Sequence, residues 1–308
     1  MVNKRNWAAP GFTVLALLAL SACAGGGGGG NGGGGGTSTA PSTAAGSGGG
    51  GGTPPPPDFE VPNIYAAYDD EQPNELDKLL VFGDSYSDTE RFDFDIWSEK
   101  LTDGIDGSTI ESYAKGGAFA GPTNNYPGQD GNTIETQVDN WLATTPSFSG
   151  SDLTVFYAGY NDINVPKAEG EAISNQTALD RSADHLEDQI DRVIAQGAID
   201  GDRRIFVTRV HEWTDTPKEN VKDDNFKAGF TDFWNGRIDD IANSNDNIVA
   251  VDLNTVFRRI HDDPGAYGFT NVTTADPGNA GPGGTALYHD TVHFGERGQE
   301  IIAEVYNH

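Results

Sequence analysis

Two short stretches near opposite ends of the chain carry residue types that can do chemistry together. The first is Gly83-Asp84-Ser85, directly after the apolar run Leu79-Leu80-Val81-Phe82. The second is Asp290-Thr291-Val292-His293. An aspartate three residues before a histidine can set its carboxylate on one ring nitrogen. The other nitrogen is then free to take a proton from a serine hydroxyl. A serine so activated is a nucleophile for acyl transfer. Gly-Asp-Ser on its own would equally suit an ordinary strand-to-loop turn; the partner stretch makes it informative.

The elements that must position these groups follow from the apolar pattern. A run of four apolar residues stopped by Gly83 reads as a strand buried on both faces of a parallel sheet. Ser85 then lies past the carboxyl end of that strand, the edge where ligands collect in open α/β sheets. Leu153–Ala158 repeats the pattern and ends in Gly159-Tyr160-Asn161-Asp162. Arg204–Val210 and Asn247–Leu253 read as two further strands. Helical spacing appears in Phe94–Leu101, Ile134–Leu142, Leu179–Gln196, Asn225–Ala242 and Glu296–Tyr306, and another helix begins within Asn254–Ile260. In Glu111–Ala118 a Gly116-Gly117 pair follows a short extended segment, where the backbone can turn sharply and expose an N–H. Gly265–Gly284 reads as loop. Strands alternating with helices imply an α/β fold, a three-layer α/β/α sandwich around a central parallel sheet.

The first residues do not belong to that fold. Lys4 and Arg5 precede a short apolar core, Phe12–Leu20, and Leu20-Ser21-Ala22-Cys23 closes it with small residues. The core is too short to span a bilayer and reads as a secretory signal. It resembles a bacterial lipoprotein signal, which implies cleavage before Cys23 and lipidation of its thiol; a plain secretory peptide with an incidental cysteine is the alternative. Ala24 after that cysteine resembles the signal for outer-membrane delivery. The expected organisation is residues 1–22 as signal peptide, 23–57 as lipidated cysteine and Gly/Ser/Pro-rich tether, and 58–308 as one globular domain of about 250 residues. Cys23 is the single cysteine of the 308 residues, so the domain holds no disulfide. Asp and Glu number 47 against 19 Lys and Arg, a net charge of −28. That balance argues against nucleic acid and against a basic patch for anionic lipid.

Four separated pieces together resemble the blocks of the GDSL, or SGNH, hydrolases. They are Phe82-Gly83-Asp84-Ser85-Tyr86-Ser87-Asp88, Ala114–Ala118, Gly159-Tyr160-Asn161-Asp162 and Asp290–His293, in the family's order. Gly265–Thr273 also resembles a segment of the lipase and haemolysin-like branch. The resemblance implies a flavodoxin-like fold and a serine esterase or lipase that hydrolyses carboxylic esters through an acyl-enzyme, with no cofactor or metal. It implies Ser85 as nucleophile, His293 as base and Asp290 as the holder of the imidazole. It implies an oxyanion hole from the N–H of Ser85, the N–H of Gly116 and the amide of Asn161, with Gly117 the competitor of Gly116. Position 87 is Ser, so the G-x-S-x-G elbow of the α/β-hydrolases does not apply. Two departures stand out. Phe294 replaces the proline usual after the histidine, which implies a change of packing rather than chemistry. Tyr86 replaces the common leucine, a choice that resembles acetylesterase-like members and favours small acyl groups. The expected partners are an ester substrate, a lipid or an acylated glycan, and a membrane reached through Cys23. The expected location is extracytoplasmic, lipid-anchored at the cell envelope and in the outer membrane. The alternatives are a catalytically silent binding or adhesion lipoprotein and an acyltransferase on the same fold.

Other residues of chemical interest have plainer readings. His289 and His293, four apart, would suit zinc on a helix, but no third ligand cluster accompanies them. His185 reads as a surface residue on the long helix, and His211 lies at a strand end without an assigned role. Trp141, Trp234 and Tyr157 read as core. Trp213, in the polar loop after the third expected strand, is the aromatic best suited to a substrate platform.

Overall fold

The computed structural model describes residues 76–122, 131–164, 175–201, 203–218 and 225–307. The expected signal segment, Cys23, the tether and the first residues of the expected globular domain lie outside the described residues. Five strands form one parallel sheet: β1 Lys78–Gly83, β2 Thr109–Ser112, β3 Leu153–Tyr157, β4 Arg204–Arg209 and β5 Ile248–Asp252, in spatial order β2-β1-β3-β4-β5. Leu79 pairs with Leu153 and Phe82 with Phe156, so the two strands that lead into the candidate site run in register side by side. Leu79, Leu80, Val81 and Phe82 have no exposed surface, as a doubly covered strand requires.

Among the described residues six helices cover the sheet: α1 Trp97–Asp103, α2 Ile134–Leu142, α3 Asn175–Ile194, α4 Asn225–Asn243, α5 Leu253–Asp262 and α6 Glu296–Tyr306. α1 packs on α6, with the Trp97 and Tyr306 rings stacked at 4.4 Å, while α2, α3 and α4 pack in sequence against one another. The chain reverses its direction along the sheet after β2, so the carboxyl ends of β1 and β3 flank a topological switch point. Loops leaving such neighbouring strands in opposite directions open a crevice, and ligands bind there.

α1 starts three residues later than the apolar spacing suggests. The Ile96 N–H donates to the Glu99 carboxylate at 3.0 Å, which fixes the first turn there and not at Phe94. The expected loop Gly265–Gly284 contains short 3₁₀ turns at Pro264–Tyr267 and Pro277–Asn279, each with proline at its start.

Candidate active site

Ser85 stands on the turn that ends β1. Gln137 of α2 clamps the last strand residue, donating to the Gly83 carbonyl at 2.7 Å and accepting its N–H at 2.9 Å. Asp84 tightens the turn by accepting the Tyr86 N–H at 3.0 Å, and Ser87 N–H closes it on the Asp84 carbonyl. His293 reaches the serine from a hairpin-like loop in which Tyr288 pairs with Phe294. Its Nε2 lies 2.7 Å from the Ser85 Oγ, and its Nδ1 lies 2.7 Å from Asp290 Oδ2. An Nδ1–H donated to the carboxylate leaves Nε2 as acceptor of the serine proton. Asp290 is itself anchored, its Oδ1 accepting the N–H groups of Val292 and His293 at 2.9 and 2.8 Å.

The electrostatics suit a neutral imidazole beside a carboxylate anion. Burial alone would raise the Asp290 carboxyl, but the His293 ring and the two backbone N–H groups hold it well below the usual carboxylate range. Burial pushes His293 below the ordinary 6.5 of histidine; Asp290 opposes this, and Arg91 and His289 add to the fall. The Arg91 Nη2 lies 3.7 Å from Asp290 Oδ2. Behind the serine, burial raises Asp84 to about 7 and Asp162 to about 6.

The loops after β2 and β3 bring the other expected residues to the same place. Lys115–Ala118 forms a turn closed by Ala118 N–H on the Lys115 carbonyl, with Gly117 at φ +77°, a left-handed conformation natural to glycine. Asn161 follows Gly159, whose φ of +115° and close contact with the Trp234 indole leave no space for a side chain. Asn161 donates one amide hydrogen to the Ala118 carbonyl at 3.1 Å. Among the described residues its second amide hydrogen has no acceptor and is free for a ligand. The Ser85 N–H has no partner among the described residues. The Gly116 N–H, expected as the third donor, is committed elsewhere: it donates to Asp88 Oδ2 at 2.7 Å. Sequence reasoning gave no role to Asp88, although it sits inside the first motif, because nothing local says which backbone N–H its carboxylate reaches.

The family model "GDSL-like Lipase/Acylhydrolase" matches residues 79–305. The chain belongs to that family. No curated protein matches it. Among solved structures it is similar to a lipolytic protein of the G-D-S-L family from Veillonella parvula, at 15% identity and TM-score 0.46 over 74% of this chain and 94% of that one. An acetyl xylan esterase, AlAXEase, aligns at 16% identity and TM-score 0.48 over 74% and 97%. An acetyl xylan esterase from Geobacillus stearothermophilus aligns at 14% and 0.48 over 75% and 92%.

Several side chains of this GDSL-family chain sit elsewhere than the sequence suggests. Trp213 is buried against Tyr160, at 4.4 Å between ring centroids, and is core, not a platform. Its place in a polar loop misled because the 3₁₀ turn at Trp213–Asp215 folds the ring inward. His185 is no free surface residue: its Nδ1 lies 3.1 Å from the Ala120 carbonyl and its Nε2 3.5 Å from Glu135, linking α3 to α2. Residues 289–293 form no helix, so the two histidines do not share a helical face, and His289 turns toward the Phe92 and Phe94 rings. Tyr86 is fully buried, its hydroxyl donating to the Val292 carbonyl and its ring 5.3 Å from that of His293. It props the loop that carries His293. Phe294, where the family usually has proline, stacks on Phe257 at 4.0 Å and packs against His211 and Tyr288. His211, left without a role by sequence, is a buried member of this aromatic cluster.

Proposed function

We propose that the protein is a serine esterase that hydrolyses carboxylic esters through an acyl-enzyme. The observation that carries this reading is the unbroken pair of hydrogen bonds from Ser85 Oγ to His293 Nε2 and from His293 Nδ1 to Asp290. In the first half-reaction the Ser85 oxygen attacks the ester carbonyl carbon while its proton passes to His293 Nε2. The tetrahedral oxyanion accepts hydrogen bonds from the Ser85 N–H and the unspent amide hydrogen of Asn161. As it collapses, His293 returns the proton to the departing alcohol and Ser85 is left acylated. A water oxygen then attacks the acyl carbon while its proton passes to His293, and as the bond to Ser85 Oγ breaks His293 returns that proton to the serine oxygen and the acid leaves. Asp290 keeps its charge throughout and stabilises the imidazolium that forms in each half. A neutral His293 at pH 7 is the form this cycle needs at its start.

The lipoprotein-like start belongs to the same proposal: Cys23 would carry the lipid, and the Gly/Ser/Pro-rich segment to residue 57 would hold the esterase off an extracytoplasmic membrane. The test is hydrolysis of a p-nitrophenyl ester series from acetate to palmitate by the protein and by Ser85→Ala. The expected result is turnover lost by at least about a thousandfold in the variant, with the wild-type optimum along the series defining the acyl length. Equal rates in the two proteins would overturn the serine mechanism.

A further inference from the structure

The Asp88 carboxylate stitches two loops that approach the candidate serine from different strands. Asp88 belongs to the turn after β1, where its Oδ1 accepts the Glu90 N–H at 3.2 Å. Its Oδ2 crosses to the loop after β2 and accepts the Gly116 N–H at 2.7 Å. A short hydrogen bond to an ionised acceptor is among the stronger single contacts available to a loop. The turn it grips leads directly to the oxyanion chemistry. Lys115 N–H donates to the Gly83 carbonyl at 3.2 Å, Asn132 holds the Gly116 carbonyl at 3.1 Å, and the Ala118 carbonyl receives the Asn161 amide at 3.1 Å. A Cβ placed on Gly116 would sit 3.9 Å from the Ser85 Cβ, so the turn lies against the serine itself. The hydrogen bonds thus form one continuous path: Asp88, Gly116, the Lys115–Ala118 turn, Asn161.

We infer that Asp88 is a positioning residue of the esterase site, which fixes the glycine turn and through it aims the Asn161 amide at the oxyanion. This rests on the proposed esterase reading. The carboxylate need not touch substrate; its charge holds a backbone N–H, and the turn transmits the constraint. An oxyanion donor displaced by a fraction of an ångström loses much of its advantage, because it must meet the transition state and not the ground state. The effect therefore falls on kcat and leaves KM nearly alone.

The experiment compares Asp88→Ala, Asp88→Asn and Asn161→Ala with wild type on p-nitrophenyl acetate, and measures inhibition by a trifluoromethyl ketone, which adds to serine and creates an oxyanion. Asp88→Ala is expected to lower kcat about 10- to 100-fold with KM within about twofold, and to weaken the inhibitor in the same proportion. Asp88→Asn, whose amide oxygen still accepts the Gly116 N–H, is expected to recover most of the loss. The double variant Asp88→Ala/Asn161→Ala should be no slower than Asn161→Ala, since both remove one contribution. A rise in kcat/KM in Asp88→Ala would overturn the inference and make the carboxylate a plug that substrate displaces. Additive losses would sever the route through Asn161. A structural readout stands apart from turnover: in ¹H–¹⁵N spectra the Gly116 amide and the Asn161 side-chain amide should shift together in Asp88→Ala. A shift confined to Gly116 would overturn the inference even if no ester is hydrolysed, whereas a Ser85→Ala variant as active as wild type would fault the esterase reading alone.

Discussion

The buried carboxyl of Asp84 lies next to Ser85, the proposed nucleophile, in sequence, and an anion there would oppose the negative charge that develops during the proposed attack. Burial raises it to about 7, with the nearby Asp162 adding to the shift and the Tyr86 N–H opposing it. Asp84 thus holds its proton across the acid range and is half-neutral at about pH 7. This carries a stability cost that depends on pH. In the unfolded chain the group ionises near 3.8, so the stability it contributes is complete below that value and is lost as pH rises to about 7. The span of about three units corresponds to about 4 kcal/mol. Asp84→Asn keeps an acceptor for the Tyr86 N–H and has no proton to lose. It should match wild type in urea denaturation at pH 4 and exceed it by a few kcal/mol at pH 8. Parallel stability–pH curves for the two proteins would show that Asp84 does not carry this cost. Arg91 gives a second residue-scale prediction. It is one of the groups that lower His293, so Arg91→Gln should move the acid limb of kcat/KM to higher pH. A limb that stays in place or moves down counts against Arg91 as a neighbour of the imidazole in solution.

At the scale of elements, the buried strands and the amphipathic helices were readable because burial dictates their apolar pattern. β1 and β3 announce themselves as uninterrupted apolar runs, and α2 and α6 coincide with the apolar spacing at Ile134–Leu142 and Glu296–Tyr306. β2 was not readable as a strand: Thr-Ile-Glu-Ser at the sheet edge has no buried face to impose a pattern, and only its extended character showed. The order of the blocks located Ser85, Gly116, Asn161, Asp290 and His293, and the fold brings their loops to one sheet edge. What stayed hidden was pairing across loops, such as Asp88 with Gly116 or His185 with Ala120, which depends on distances no local sequence encodes. The inward turn of Trp213 was hidden for the same reason. Phe294 belongs to this scale as well, because it joins the histidine loop to α5 through Phe257. Phe294→Ala empties a fully buried site and should cost about 3–5 kcal/mol. If the residue serves packing and not chemistry, kcat of the folded variant stays within about tenfold of wild type. A much larger loss in kcat without loss of stability would assign it to the reaction instead.

For the whole molecule, the net charge of −28 and the lipoprotein-like start bear, on the proposed reading, on where the protein would work and not on how. Every residue assigned to the chemistry lies between Ser85 and His293, on loops supported by the sheet, and none comes from residues 1–57. A strongly acidic body is repelled by anionic lipid, so attachment to a bilayer needs a hydrophobic anchor rather than a basic patch. Cys23 is the single thiol able to supply one. Cys23→Ser, expressed in a bacterial host with its lipoprotein machinery, should therefore move the protein from the detergent phase to the aqueous phase on Triton X-114 partition. Its kcat on p-nitrophenyl acetate should remain that of wild type, because the anchor and the catalytic loops share no residue. Equal partition of the two proteins would remove Cys23 as the anchor. Loss of turnover in a soluble, folded Cys23→Ser protein would mean instead that the N-terminal segment reaches the active site, and the tether could no longer be treated as a passive spacer.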